Sequence, residues 1–245
     1  MGLFVEGLLV GSLNVLLMFG LEHVYSKDDV NTLRQREGGQ ELHVAGIRAS
    51  IFNSVFLGAV TYYVTITYCC VSGPLTLFQQ LSSVMKFLLI ENIWYYCAHW
   101  LMHRRSFYWM HRFHHKFNAI VLPSSASAVS IPEFLLAYMA PFLLGAYAGS
   151  CDKYSAICSA AIVAVSNLAI HTPALEEKMK CLPWFLVLPS DHITHHRQLT
   201  CNYGAPLIHF DRVFSYVDGL FRRVTDIRVH KLDVGRENDS DLKKD

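Results

Sequence analysis

Five apolar runs limit what this chain can fold into more than any other feature of its sequence. They cover residues 1–21, 49–71, 75–98, 134–147 and 156–170. A helix of about 20 apolar residues crosses the hydrocarbon core of a bilayer, and the fourth and fifth runs are short by that measure. Charged residues make up 17% of the chain, against about a quarter in soluble domains. The sequence therefore predicts an all-α integral membrane helical bundle, with about four spanning helices or with two and a re-entrant hairpin.

The distribution of basic residues predicts how this bundle is oriented. Two turns expected on the far side of the membrane, residues 72–75 and 149–153, carry a single basic residue, Lys153. Nearly all other Lys and Arg residues lie in three segments, which the positive-inside rule places in the cytosol. These segments are residues 26–48, residues 99–131 and the chain after residue 171. The first apolar run is expected to be a retained helix and not a cleaved signal peptide, because it lacks a basic leader and a small-residue cleavage site.

Charge and cysteine content exclude two further classes. Lys and Arg number 21 and Asp and Glu number 20, so the basic excess of a nucleic-acid-binding domain is absent. The seven cysteines form no CxxC motif, and most of them lie in apolar runs. They are typical of small buried apolar residues and not of a disulfide framework.

Three short histidine clusters point to metal chemistry. Their sequences are HWLMH at 99–103, HRFHH at 111–115 and HITHH at 192–196, and His171 stands alone before the third. Histidines three or four positions apart share one face of a helix, and neutral imidazole is a common ligand of first-row transition metals. The candidate ligands are His99, His103, His111, His114, His115, His171, His192, His195 and His196.

The number of clustered histidines indicates two metal ions. A tetrahedral zinc site uses four protein ligands, or three and a water, so eight or nine imidazoles suit two ions better. No HExxH or HxxEH motif occurs, which excludes a zinc peptidase of those types. Because the clusters lie in predicted cytosolic segments, the sequence predicts a cytosolic histidine-rich di-metal cap on the bundle. The solitary His23, His43 and His230 are assigned interfacial positions.

Asn92 is the first candidate for a group that supports these ligands. It precedes His99 by seven residues and His103 by eleven, so all three lie within about 40° on one helical face. Its amide oxygen can accept a hydrogen bond from the second N–H of a ligand imidazole, which metal-bound histidines require. The alternative is an ordinary contact between helices.

The clusters and their surroundings resemble the core of the fatty acid hydroxylase and sterol desaturase superfamily. The resemblance rests on ENIWYYCAHWLMH at 91–103, on the two HxxHH boxes, on NYG at 202–204 and on DRVF at 211–214, and it runs from about residue 85 to 220. It implies membrane-bound non-haem di-iron enzymes of the endoplasmic reticulum that use dioxygen to hydroxylate or desaturate lipids. Their electrons come from NAD(P)H through a small b-type cytochrome or a reductase.

Departures from the family pattern bear on the substrate. Asn92 stands where the family commonly has Asp, and Ser130 in SIPE replaces the histidine of the frequent His-Pro-x-Glu, as in cholesterol side-chain hydroxylase-like members. His171, within IHTP, matches a histidine of the sterol desaturases and methylsterol oxidases. Ser130 and His171 therefore favour a sterol substrate, as in sterol biosynthesis. A fatty acyl, sphingoid or alkyl lipid is the alternative.

The predicted enzyme divides into three parts. Membrane helices and a connector occupy residues 1–84, a catalytic domain residues 85–221 and a polar tail residues 222–245. The nine clustered histidines are the predicted ligands of two iron ions. The predicted outer-shell groups are Glu91, Asn92, Asn202 and Asp211. A histidine-rich membrane metal transporter is the alternative from another class, and it would hold its ligands near the middle of the membrane.

A lipid substrate has to reach the metals from the bilayer, so the bundle is expected to contain an apolar slot. Tyr62, Tyr63, Tyr95, Tyr96 and residues 134–139 are the candidate lining. Plain packing is the alternative reading for each of them.

Overall fold

The computed structural model describes residues 2–221, and the predicted tail at 222–245 lies outside the described residues. The main helices are α1 (Leu3–Tyr25), α2 (Lys27–Arg34), α3 (Gly39–Cys69), α4 (Leu77–Met102), α5 (Ile131–Ala148), α6 (Lys153–Ile170), α7 (Pro189–Gln198) and α8 (210–221). Two short helical turns, Tyr108–His111 and His114–Phe117, lie between α4 and α5. Between residues 2 and 221 the β structure amounts to one isolated bridge, Leu186 to Ile208.

Four helices, α1, α3, α5 and α6, are long and apolar enough to cross a membrane. This confirms the predicted all-α membrane bundle. Helices α5 and α6 have 18 residues each, because they begin at Ile131 and Lys153, several residues before the apolar runs. By length and composition they therefore fit the four-helix form of the prediction. Helix α4 has 26 residues and packs against α5 and α6.

Asp152 links the turn that precedes α4 to the turn that precedes α6, at the end of the bundle opposite the histidines. Its Oδ1 accepts a hydrogen bond from Ser155 N at 2.8 Å and so caps the first turn of α6. Its Oδ2 accepts from Gln80 Nε2 at 2.9 Å and from Leu75 N at 3.3 Å. These bonds fix the start of α4 beside the start of α6, so both helices run in parallel toward the histidine end.

A close approach between α1 and α3 depends on Gly11. A methyl group at this position would lie 2.1 Å from the carbonyl oxygen of Ser54, a backbone atom with no freedom to rotate away. We expect Gly11→Ala to separate the two helices and to destabilise the protein by about 1–3 kcal/mol. Thermal unfolding in detergent measures this effect. Gly20→Ala on the same helix is the matched control, since nothing lies within 4 Å of Gly20, and equal midpoints for the two variants would contradict the prediction.

His43 is buried, which corrects the interfacial position assigned to it. Its Nε2 lies 2.9 Å from Glu22 Oε1, and Arg34 Nε donates to its Nδ1 at 3.1 Å. Glu22 Oε2 also accepts from Ser124 N at 3.1 Å. The network therefore ties α1, α2 and α3 to the segment between α4 and α5. Its hydrogen bonds are what allow these polar side chains to be buried, since a buried charged group is retained only when it is paired.

Candidate metal centre

Each histidine cluster lies at the end of a helix or on a short helical segment, at one end of the bundle. His99 is on the last turn of α4, and His103 follows directly after it. His111 ends the turn Tyr108–His111, and His171 follows the last residue of α6. The remaining five histidines are His114 and His115 on the turn His114–Phe117 and His192, His195 and His196 on α7.

These nine histidines form two adjoining groups. In each group the ring nitrogens lie within 4.8 Å of one another. Site A consists of His99, His103, His111, His115 and His195. Site B consists of His114, His171, His192 and His196. All nine side chains are buried except that of His103, which is half-buried.

The ring nitrogens inside each site nearly touch. In site A, His99 Nε2 lies 3.0 Å from His111 Nε2, and His103 Nε2 lies 3.2 Å from His115 Nε2. In site B, His192 Nε2 lies 3.0 Å from His171 Nε2 and 3.1 Å from His196 Nε2. The Nε2 atoms of these seven histidines therefore lie close together within their sites.

The last two histidines of each HxxHH box belong to different sites. Neighbouring residues on a helical turn point about 100–120° apart, whereas residues four apart share a face. His114 and His115 accordingly enter different sites, and so do His195 and His196. His192 and His196, four residues apart, enter the same one. Two HxxHH boxes facing each other thus produce two ligand sets side by side.

Main-chain carbonyls fix the orientation of three imidazoles. His99 Nδ1 lies 2.9 Å from Tyr203 O, His195 Nδ1 lies 2.7 Å from Cys201 O, and His171 Nδ1 lies 2.7 Å from Asn167 O. A carbonyl can only accept a hydrogen bond, so each Nδ1 carries the proton. The Nε2 lone pair of each ring then points into its site.

This arrangement fits a metal ion at each site. His195 Nε2 is buried and has no hydrogen-bond partner in the described part of the chain. The lone pairs of His99 Nε2 and His171 Nε2 face further imidazole nitrogens at about 3 Å, a spacing that nitrogens sharing one ion at 2.0–2.1 Å adopt. A cation at each site would satisfy these converging nitrogen lone pairs at once.

Glu133 orients a fourth imidazole, and sequence reasoning did not assign it this role. Its Oε1 lies 2.5 Å from His111 Nδ1, and both side chains are fully buried. Ser130 starts the helix that carries it, because Ser130 Oγ accepts from Glu133 N at 3.3 Å and donates to Met110 O at 2.7 Å. The signal was present in SIPE, which places a capping serine three residues before a glutamate.

Three of the four predicted outer-shell residues, Asn92, Asn202 and Asp211, hold the loop of residues 199–209, whose carbonyls contact site A. Asn92 Oδ1 accepts from Leu207 N at 3.2 Å and from Ile208 N at 3.0 Å. The prediction that Asn92 hydrogen-bonds to a ligand imidazole is therefore wrong. The oxygen of Asn92 binds the loop, and the loop carbonyl Tyr203 O takes the expected place beside His99 Nδ1. The other contacts are Glu91 Oε2 to Asn92 Nδ2, Asn202 Nδ2 to Asp191 O and Asp211 Oδ2 to Gly204 N.

Burial keeps the imidazoles neutral. It lowers the pKa of His171 and of His195 to about 4 and the pKa of His103 to about 3. The pKa values of His192 and His196 are also far below the ordinary value, again because burial disfavours the charged form. The rings are therefore able to bind a metal at neutral pH without first losing a proton.

These lowered pKa values predict that the protein loses stability in mild acid. Below about pH 6.5 the unfolded chain binds protons at these histidines, whereas the folded chain resists protonation until about pH 4. The unfolded state is then the more protonated one, so the free energy of unfolding falls as the pH drops through this window. Thermal unfolding of metal-depleted protein between pH 7.5 and pH 4.5, in steps of about half a unit, tests it. A constant midpoint across that range would contradict the prediction.

A cavity of about 340 Å³ lies inside the bundle next to the histidines. Tyr95, which lines it, has its ring centroid 5.3 Å from that of His99. Asn167, which also lines it, gives its carbonyl to His171. The cavity therefore ends one layer of side chains from the two sites. Of the residues predicted to line an apolar slot, those found in the lining are Tyr62, Tyr95, Phe134 and Tyr138.

Tyr63 and Tyr96 do not line the cavity. Tyr63 is 42% exposed on the outside of the bundle. Tyr96 packs against Tyr203, Phe210 and Phe214, with ring centroids 5.5–6.5 Å away. The packing interpretation is therefore correct for Tyr96.

A comparison with protein-family models adds independent evidence. The model described as fatty acid hydroxylase matches residues 84–216, a range that contains all nine histidines, Glu133 and the loop over site A. Searches of curated proteins and of solved structures found no significant match. The matched range covers more than half of the chain and includes every residue of the two sites, so the chain belongs to the fatty acid hydroxylase family, whose members are lipid hydroxylases and desaturases.

Proposed function

We propose that the protein is a membrane-bound non-haem di-iron oxidoreductase that uses dioxygen and reducing equivalents to hydroxylate or desaturate a lipid. The observation that carries this proposal is the division of nine histidines, eight of them buried and His103 half-buried, into two adjoining sites. The proposed ligands are those of site A and site B, one ion in each. The five imidazoles of site A exceed the four ligands that a structural zinc site uses.

The bound irons supply the redox chemistry that an unactivated C–H bond requires, since no side chain is a sufficient oxidant. The residues of the chain hold and orient the ions. Tyr203 O, Cys201 O and Asn167 O keep the Nε2 atoms of three histidines directed into the sites. Glu133 does the same for His111, as an outer-shell carboxylate commonly does for a metal-binding histidine. Burial of the ligands excludes water.

A sterol is the substrate that we propose. Ser130 and His171 match sterol-oxidising members of the family, and the cavity beside the sites is almost entirely apolar. Its volume of about 340 Å³ is within the range of pockets for small lipophilic ligands. No observation favours a fatty acyl, sphingoid or alkyl chain over a sterol.

The proposed location is the endoplasmic reticulum membrane, with the two sites on the cytosolic face. The excess of Lys and Arg in the segments that carry the histidines supports this orientation. We propose that the electrons come from NAD(P)H through a small b-type cytochrome or a reductase. The proposed catalytic domain is residues 85–221. A metal transporter is less compatible, because both sites lie at helix ends and not at broken helices in mid-membrane.

Metal analysis of the detergent-purified protein tests the proposal. Cells grown on iron-57 allow elemental analysis and Mössbauer spectroscopy on the same sample. About two irons per chain with a coupled di-iron spectrum is the expected result, and lipid profiles of cells with and without the protein then identify the substrate. Zinc alone would call for iron reconstitution, and a protein that binds no metal after reconstitution would refute the proposal.

A further inference from the structure

Helix α8 has one apolar side and one polar side. At about 100° per residue, its apolar residues fall on one arc of the helix and its polar residues on the opposite arc. Phe210, at the start of the apolar arc, is buried. Four further apolar residues of the arc are exposed by 40–56%: Phe214, Tyr216, Val217 and Leu220. Most of the apolar side of α8 is therefore not covered by the bundle.

A neighbouring loop extends this apolar side. Trp184 is 49% exposed, and its ring centroid lies 5.1 Å from that of Tyr216. Arg212 Nη1 donates to Trp184 O at 2.6 Å, so the loop is tied to α8. Two separate segments thus bring large apolar side chains to one surface, and such surfaces mark contacts with lipid or with protein. We call this surface the α8 face; it consists of Trp184, Phe214, Tyr216, Val217 and Leu220.

The α8 face lies at the level where the candidate spans end. Helices α4 and α6 start side by side at Asp152, and the 18 residues of α6 then cover about 27 Å. Tyr96 lies 19 residues after Leu77, the first residue of α4, which is about 28 Å along that helix. The ring centroids of Phe210 and Phe214 lie 5.5 and 5.6 Å from that of Tyr96. Because a hydrocarbon core is about 30 Å thick, α8 lies at its border on the histidine side.

The α8 face also continues a surface that faces lipid. Ile93 and Trp100 lie three residues before and four residues after Tyr96, so they share its side of α4, and both are exposed. They end a row of exposed apolar residues that runs along the whole helix: Phe78, Leu81, Met85 and Leu89. Since α4 packs beside the candidate spans α5 and α6, this row faces the hydrocarbon core. Tyr96 joins it to α8, which favours lipid over a protein partner as the occupant of the α8 face.

The polar side of α8 is turned toward the histidine cap. Asp211 Oδ2 accepts from Gly204 N at 3.0 Å, and Arg212 Nη2 donates to Asp191 Oδ1 at 2.8 Å. An amphipathic helix with its polar side on the protein and its apolar side at the border of the core lies in the plane of the interface. Trp and Tyr are also the aromatic residues that concentrate at this depth, because each ring has an apolar body and a polar group.

We propose that α8 is an interfacial helix and that the α8 face is inserted into the bilayer leaflet on the histidine side. The occupant of this face is the boundary between acyl chains and headgroups of the lipid that surrounds the bundle. The contact is non-covalent. It goes beyond the proposed function and does not depend on it, since a protein that binds no iron would keep the same helix at the same depth.

The depth of single tryptophans tests this inference. The four native tryptophans are changed to Phe, and one tryptophan is placed at Val217→Trp on the α8 face or at Ser215→Trp on the polar side. The full chain is reconstituted in nanodiscs of phosphatidylcholine that is brominated in the upper part of its acyl chains. The apolar side of an interfacial helix lies about 5–10 Å below the surface, so bromine should remove at least about half of the emission of Val217→Trp and less than about a tenth of that of Ser215→Trp. Aqueous acrylamide should quench the two proteins in the opposite order.

A third protein keeps Trp184 and changes only the other three tryptophans to Phe. It needs no substitution in the α8 face, and we expect bromine to quench it as strongly as Val217→Trp. Thermal midpoints and metal contents that match the wild type show that the proteins fold. Strong quenching of Trp184 and Val217→Trp by acrylamide would place the α8 face in water and would overturn the inference. Protection of both from acrylamide and from bromine would place protein on this face and would overturn it equally.

Discussion

A His195→Ala protein should fold, lose the metal of site A and lose its activity. His195 Nε2 is the ligand atom in site A that has no other partner, and its Nδ1 is already held by Cys201 O. Removing the ring takes away one of five nitrogens and leaves a buried space that water can enter. We expect metal content to fall to about one ion per chain. Turnover should fall by more than about 100-fold, because 100-fold is about the largest loss that follows from removing a residue that only orients a ligand.

Elemental analysis and a turnover assay on the same preparation measure both effects. His114→Ala should lower the metal content to the same extent through site B. His23→Ala is the matched control, since His23 is exposed near the end of α1 and belongs to neither site. Full metal content and full turnover in His195→Ala would remove this residue from the centre.

Replacing Glu133 should weaken metal binding without removing a ligand. Glu133→Leu deletes the partner of His111 Nδ1, so the ring is free to rotate and to exchange its proton between the two nitrogens. We expect metal affinity to fall by about 10–100-fold. Glu133→Gln keeps an acceptor at the same place and should restore part of the loss.

Competition with a chelator measures this affinity without any assay of turnover. Glu177→Gln is the control, because the Glu177 side chain is 80% exposed and pairs with Lys180. A Glu133→Leu protein that resists the chelator as well as the wild type would show that the carboxylate does not position His111.

The sequence was most informative where residue spacing alone determines the outcome. Apolar runs predicted the helical membrane bundle, and the nine clustered histidines are the same nine that lie together in sites A and B. Their role as iron ligands stays a prediction. The fourth and fifth apolar runs are shorter than the helices that contain them. Polar residues such as Lys153 belong to the helix but not to the apolar run.

The sequence did not predict the contacts between segments that lie far apart in the chain. Tyr203 and Cys201 act through main-chain oxygens, which leave no trace in residue type. Asn92 lies on the predicted helical face, but the loop that covers it takes its hydrogen bonds. Glu133 was visible only as part of a short motif, because its distance to His111 depends on how α5 folds back onto α4.

The two sites also set an order on the biogenesis of the protein. Their ligands come from residues 99 to 196, and the carbonyls that orient them extend to Tyr203. Every helix from α1 to α6 precedes His192 in the chain, so the ribosome delivers all candidate spans to the membrane before either ligand set is complete. Both sites can therefore be filled only after the ribosome has passed α7, and a chain that ends before α7 lacks His195 from site A and both His192 and His196 from site B.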